Sequence, residues 1–188
     1  MPDAEVYFWP QFFAAQERSR YWQELTSTVA WQQDKIKMFG KELLLPRLTA
    51  WYGDSGKSYS YSGLHLKPLA WLPVLLTLKE TLVQVTGIAF NSVLLNYYRT
   101  GQDSMGWHSD DEPELGPNPV IASISFGETR RFYFRHKYNT TLPKQKIDLL
   151  PGSLLLMQGP TQHYWQHQIP KMAKVPGDRI NLTFRVII

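Results

Sequence analysis

The chain contains no cysteine, which excludes disulfide scaffolds, thiolate metal sites and cysteine nucleophiles together. No apolar run approaches the ~20 residues a membrane-spanning helix needs, so membrane insertion through helices is not expected. Charge is sparse, at 19% of residues against 43% apolar, and this excludes a disordered polyelectrolyte. Repeats, low-complexity tracts, linkers and blocks of like charge are also missing. The first residues, MPDAEVYFWP, are acidic and aromatic where a secretory signal would be basic and then aliphatic, so a cytoplasmic protein is expected. A length of 188 residues suits one core, and the expectation is a single domain, 1–188, acting as a monomer.

What is present is a modest positive balance and many aromatics. A net charge of +4 favours a polyanionic partner only weakly. The aromatic share is the more unusual figure, with seven Trp and ten Tyr. Such side chains fill cores, and near a groove they also stack on bases.

The two halves of the chain differ in period. Residues 14–30 carry Trp22, Leu25 and Val29 at helical spacing. A second helix is marked by Leu75, Leu78, Leu82 and Val85, with Pro73 near its start and Gly87 after its end. Residues 31–66 read as hairpins and turns. From residue 89 the period is two. Segments 90–98, 120–126, 131–136, 145–150, 153–157, 163–169 and 179–188 are short, β-branched or aromatic, and Gly, Pro and Asn clusters divide them. Short strands at this density predict an α+β fold in which helices pack outside a double-stranded β-helix (jelly-roll) core.

Two polar constellations stand out. In RINLTFRVI the apolar Ile180, Leu182, Phe184 and Val186 alternate with Arg179, Asn181, Thr183 and Arg185. Alone, this is an ordinary half-exposed strand. Asn96 and Tyr98 repeat the pattern opposite Val93, Leu95 and Tyr97, and two matching polar faces suggest a polar cavity inside the barrel. An inward Arg there requires a planar anion such as a carboxylate. The second constellation is His108 and Asp110 in GWHSDDEPE, with His163 or His167 downstream. A lone H-x-D is commonly a surface loop. Followed by a late His and a terminal Arg-bearing strand, it suits a two-His-one-carboxylate site for non-haem Fe(II). A 2-oxo acid that chelates the iron at one end and meets Arg185 at the other would satisfy both constellations.

These residues resemble the AlkB family of Fe(II)- and 2-oxoglutarate-dependent dioxygenases, and its DNA-repair branch most. The resemblance is carried by LLNYY (94–98), WHSDDE (107–112), ASISFG (122–127), FYFRHK (132–137), PGSLLLM (151–157) and RINLTFR (179–185), in the family's order. Upstream, MFGKELLLPR (38–47) and YSYSGL (59–64) resemble that branch's nucleotide-recognition lid. The resemblance thus implies helices and lid over 1–88 and the catalytic jelly roll over 89–188.

It implies His108, Asp110 and His167 as iron ligands, the last because the family pattern is W-x-H. It implies Arg185 on the distal carboxylate of 2-oxoglutarate with Asn96 and Tyr98, Arg179 near the iron-chelating end, and Thr183 beside the cosubstrate. Tyr61, with Tyr59 on the same face, would stack on the methylated base, Phe39 would fill the gap left by flipping, and Glu112 would meet the exocyclic group. Of the basic residues Lys37, Lys41, Arg47, Arg130, Arg135 and Lys137, the better phosphate candidates are Arg47 and the trio Arg135, His136 and Lys137, which fall within the resembling motifs. The implied activity is oxidative demethylation of 1-methyladenine- and 3-methylcytosine-type lesions in DNA, using Fe(II), 2-oxoglutarate and O2. The alternatives are the same chemistry on RNA and a non-catalytic nucleic-acid-binding module. A zinc hydrolase would leave the inward Arg and Asn unexplained.

Overall fold

The computed structural model describes residues 1–38, 41–56, 59–61, 64–174 and 177–188, and within 36–38, 41, 59–61 and 64–66 the backbone alone. The chain begins with β1 (Glu5–Trp9) and α1 (Ala15–Thr28). Two hairpins, β2 (Lys35–Met38) with β3 (Lys41–Leu44) and β5 (Tyr59–Tyr61) with β6 (Leu64–Leu66), flank β4 (Leu48–Gly53). After α2 (Pro73–Thr86) the strands are β7 (Ser92–Tyr98), β8 (Met105–His108), β9 (Ile121–Gly127), β10 (Arg130–His136), β11 (Gln145–Leu149) and β12 (Ser153–Gln158). The short α3 (Thr161–Tyr164) then leads into β13 (Trp165–Ile169), and β14 (Arg179–Arg185) ends the fold.

Strands β7 to β14 alternate between two antiparallel sheets, except that β10 and β11 form a hairpin within one of them, and this is the winding of a jelly roll. The larger sheet has the order β1-β12-β9-β14-β7-β4 and the smaller β11-β10-β13-β8. One face of the larger sheet packs on the helices. Tyr21 and Leu25 of α1 and Val74, Leu75, Leu78 and Leu82 of α2 meet Ile124, Leu182, Phe184 and Leu95 there. Full burial of each such aliphatic side chain contributes about 1.5–3 kcal/mol, so this face fixes the sheet rigidly. The other face looks across to the smaller sheet and encloses a second cluster built on Leu94, Tyr98, Phe132, Phe134, Leu155 and Trp165. The polar cavity lies between the sheets on that side.

Some elements differ from expectation. β1 and β4 join the larger sheet at its two edges, although no strand was expected over 5–9 and 31–66 read only as hairpins and turns. The segment 163–169 divides, because residues 161–164 make a single helical turn before the chain extends. Val85, expected on the buried stripe of α2, lies in its last turn and is 48% exposed. Pro73 opens α2 and Gly87 closes it at φ 71°, as expected of those residue types.

Candidate metal centre

β8 and β13 are neighbours in the smaller sheet, and their register sets His108 directly opposite His167. The two imidazole rings lie 4.2 Å apart at centroid. Asp110 follows β8 in a bend that turns its carboxylate back toward them. One donor atom from each of His108, Asp110 and His167 falls within 4.8 Å of the others, a group able to hold a metal ion. His163, the alternative third ligand, points elsewhere and bonds Asn118 Oδ1 through Nε2 at 3.0 Å.

The protonation states suit the task. His108 Nδ1 is 2.9 Å from the Gly106 carbonyl, which only accepts, so Nδ1 carries the proton and Nε2 keeps its lone pair. Desolvation lowers the His108 pKa from its ordinary value. Burial, with His108 next to it, pushes His167 down to about 3. Burial alone would raise Asp110, but Arg185 and the two imidazoles hold it at about 2. At neutral pH the set is therefore two neutral imidazoles and a carboxylate, the nitrogen and oxygen donors that a divalent iron-type ion takes with coordination positions left open.

The cavity beside this group is lined by Asn96, Tyr98, Ser123, Arg179, Asn181, Thr183 and Arg185 together with the triad. Every residue of β14 is buried, because one face meets the helices and the other this cavity. Tyr98 and Asn96 stand across the register from Arg179 and Asn181, so the two polar strand faces expected from sequence form one wall.

The order of the two arginines is the reverse of the expected one. Arg185 pairs with Asp110 through Nη2, which places it at the metal end. Arg179, six residues away along a strand, lies at the far end against Tyr98. Each strand residue advances about 3.3 Å, so the two guanidiniums mark opposite ends of the wall. Arg179 donates to Ser125 Oγ at 2.9 Å, while its buried Nε and Nη1 meet no acceptor among the described residues. Burial brings its pKa down to about 10, which leaves it cationic at neutral pH. A buried guanidinium with two unsatisfied donors fits a carboxylate bound bidentately.

The basic residues expected at phosphates divide. Arg47 is only 3% exposed and gives Nε to Asn96 Oδ1 (2.7 Å) and Nη1 to Ser104 O (3.1 Å), so it braces the cavity wall and does not stand at a rim. Arg130 is also buried, donates to the carbonyls of Thr100, Asp103 and Pro170, and covers the Tyr98 ring at 5.3 Å. Lys137 binds Asp111 and the Gln162 carbonyl. Arg135 lies on the outer face of the smaller sheet, fixed by Gln166 Oε1 and stacked 4.4 Å over Trp107.

Glu112 is half-buried, two residues past Asp110 at the entrance to a 3-10 turn (Pro113–Leu115). Tyr59 and Tyr61 share a face of β5 by strand parity, but their side chains, with those of Lys37 and Lys41, lie outside the described set, as does the whole of Phe39. Ser123, Ser125 and Gln162 were not expected from sequence. The two serines alternate with Ala122 and Ile124 just as the polar residues of β14 do, and that parity was the available signal.

Residues 5–185 match the model of the 2OG-Fe(II) oxygenase superfamily. The chain is 45% identical over 160 residues to the DNA oxidative demethylase ALKBH2 of Mus musculus, covering 82% of this chain and 67% of that protein. It is 44% identical over 195 residues to the alpha-ketoglutarate-dependent dioxygenase alkB homolog 3 of Rattus norvegicus, covering 98% and 64%. The solved structure of OsALKBH1 superposes with a TM-score of 0.66 at 18% identity, over 96% of this chain and 97% of that one, a likeness of fold. The chain spans about two thirds of the length of the two curated relatives.

Proposed function

The chain belongs to the AlkB family of 2OG-Fe(II) oxygenases, and we propose that it demethylates N-alkylated bases in DNA by oxidation, using 2-oxoglutarate and O2. The observation that carries this reading is the pairing of a His108–Asp110–His167 donor group with a cavity wall ending in Arg179, whose Nε and Nη1 meet no acceptor among the described residues. A pure nucleic-acid-binding module gains nothing from so much buried charge, which costs stability unless it is used.

In this reading His108 Nε2, the Asp110 carboxylate and His167 hold the iron. Bound there with 2-oxoglutarate, Fe(II) supplies the O2-dependent oxidation of an N-methyl carbon, which leaves as formaldehyde while the cosubstrate becomes succinate and CO2. The chain's own residues bind and orient. Arg185 keeps Asp110 ionised and in place, and its charge favours the chelating end of the 2-oxo acid. Arg179 takes the far carboxylate, steadied by Tyr98 and Ser125. Asn96, braced by Arg47, and Thr183 line the path between the two ends. Arg179 and Arg185 thus present cationic groups to the two ends of the dicarboxylate and orient it along the β14 wall.

For the base, the family resemblance supports Tyr61 as the stacking aromatic with Tyr59 offering a hydroxyl beside it, Phe39 as the wedge and Glu112 as the partner of a cationic ring. A methylated base such as 1-methyladenine is positively charged and poorly paired, so it is cheap to flip and suits aromatic and acidic neighbours. Arg135 and Lys137 remain the phosphate candidates among the described residues.

Succinate release tests the reading. With Fe(II), ascorbate and 2-oxoglutarate, an oligonucleotide carrying 1-methyladenine should raise succinate above the level seen with the unmodified strand, and His108→Ala should abolish it. Equal succinate with both strands would retain an oxygenase and remove the alkylated base as its substrate. A parallel RNA oligonucleotide separates the two nucleic acids.

A further inference from the structure

The turn bearing Asp110 is joined to the segment leading into His167 by contacts that none of the recognised motifs contains. Ser109 Oγ donates to the Trp165 carbonyl at 3.0 Å. The Asp110 backbone N–H donates to Gln162 Oε1 at 2.9 Å. Lys137 Nζ donates both to Asp111 Oδ2 (2.9 Å) and to the Gln162 carbonyl (2.8 Å). Gln162 has no exposed surface, and its amide nitrogen lies 3.6 Å from Met157 Sδ. Both ends of this amide are used, so its orientation is determined: the oxygen must face Asp110.

We propose that Gln162 is a positioning residue for the metal site. Its side-chain oxygen fixes the backbone of Asp110, and with it the reach of that carboxylate toward the two imidazoles. The inference rests on the metal-binding reading of the triad. α3, a single turn between β12 and β13, sets Gln162 five residues before His167, so one short segment carries a ligand and the anchor of the opposing ligand. Without the amide oxygen, the buried Asp110 N–H loses its acceptor and the bend can rotate the carboxylate away. Groups that orient metal ligands in this manner typically cost about 10–100-fold in metal affinity when removed.

Mn(II) binding to the metal-free full chain, followed through the EPR signal of the free ion, tests this without catalysis. Wild type should bind and His108→Ala should not; no binding by wild type would overturn the metal site and this inference with it. Gln162→Met keeps the volume and removes the acceptor, and should weaken binding about 10–100-fold. Gln162→Glu keeps an oxygen toward Asp110 N–H and should stay within about threefold of wild type, whereas a purely space-filling role predicts the reverse ranking. Wild-type affinity in Gln162→Met, or equal losses in both variants, would overturn the proposal alone. Should Gln162→Met not fold, Gln162→Asn carries the test: it keeps the amide but withdraws its oxygen by one methylene from the Asp110 N–H, and unchanged Mn(II) affinity in that variant would also overturn it.

Discussion

Asp110 stands where side chains from the two sheets meet. It faces two imidazoles and a guanidinium through its carboxylate and Gln162 through its backbone. The pKa shifts around it give a stability prediction for the metal-free protein. An unfolded histidine takes up a proton below its ordinary 6.5, while folded His167 does so only near 3. The unfolded chain therefore binds more protons in that interval, and stability falls as pH drops from 6.5 toward 3. His108 shifts in the same direction. Asp110, held at about 2 against 3.8, adds a loss of the same sign below 3.8. Melting of the apo chain should occur at lower temperature at about pH 5 than at about pH 7.5, and a flat or inverted profile would contradict the buried neutral imidazoles. Arg179 gives a second prediction. Arg179→Met should raise the KM for 2-oxoglutarate by about thirtyfold or more, the equivalent of about 2 kcal/mol, with a smaller effect on kcat.

Much of the site at this scale was readable from alternation, since Arg179, Asn181, Thr183 and Arg185 share a face in the sequence as they do in the cavity. Parity assigns a face but not an end. Which arginine neighbours the metal depends on how β14 lies against the bend after β8, and the expected order was reversed for that reason. A positive charge in sequence likewise carries no record of burial, so Arg47 read as a phosphate contact while its partner Asn96 is 49 residues away. Gln162 was invisible because its purpose lies in a contact 52 residues distant.

At the scale of elements, the turn between β9 and β10 constrains the sheet most tightly. Gly127 adopts φ 82°, and a Cβ there would lie 2.3 Å from the Asp178 carbonyl and 2.6 Å from the Trp22 ring. Backbone on one side and an indole on the other leave nothing able to move. Gly127→Ala combines left-handed strain with a hard clash and should destabilise the fold by more than about 1 kcal/mol, measured by urea unfolding. An unchanged midpoint would show that the turn can shift away from Asp178. Helices were legible because their apolar stripes recur at 3.6 residues and Pro73 and Gly87 mark the limits of α2. β1 and β4 escaped notice because their pairing partners β12 and β7 are remote in sequence.

At the scale of the molecule, the larger sheet is pinned to α1 and α2 on one face and presents β14 as a polar wall on the other. The smaller sheet supplies both imidazoles from adjacent strands. Metal chemistry is thereby mounted on rigid strands at a junction of two sheets, where ligand geometry is held before binding. In the function proposed for this junction, it removes a methyl group from a base in dependence on 2-oxoglutarate. Mass spectrometry of a short single-stranded DNA oligonucleotide with one 1-methyladenine tests it most directly, after aerobic incubation with the protein, Fe(II), ascorbate and 2-oxoglutarate. Conversion to unmodified adenine is expected in the complete wild-type reaction, and none with His108→Ala or without 2-oxoglutarate. Retention of the methyl group in the complete reaction, or its equal loss in those controls, would contradict it.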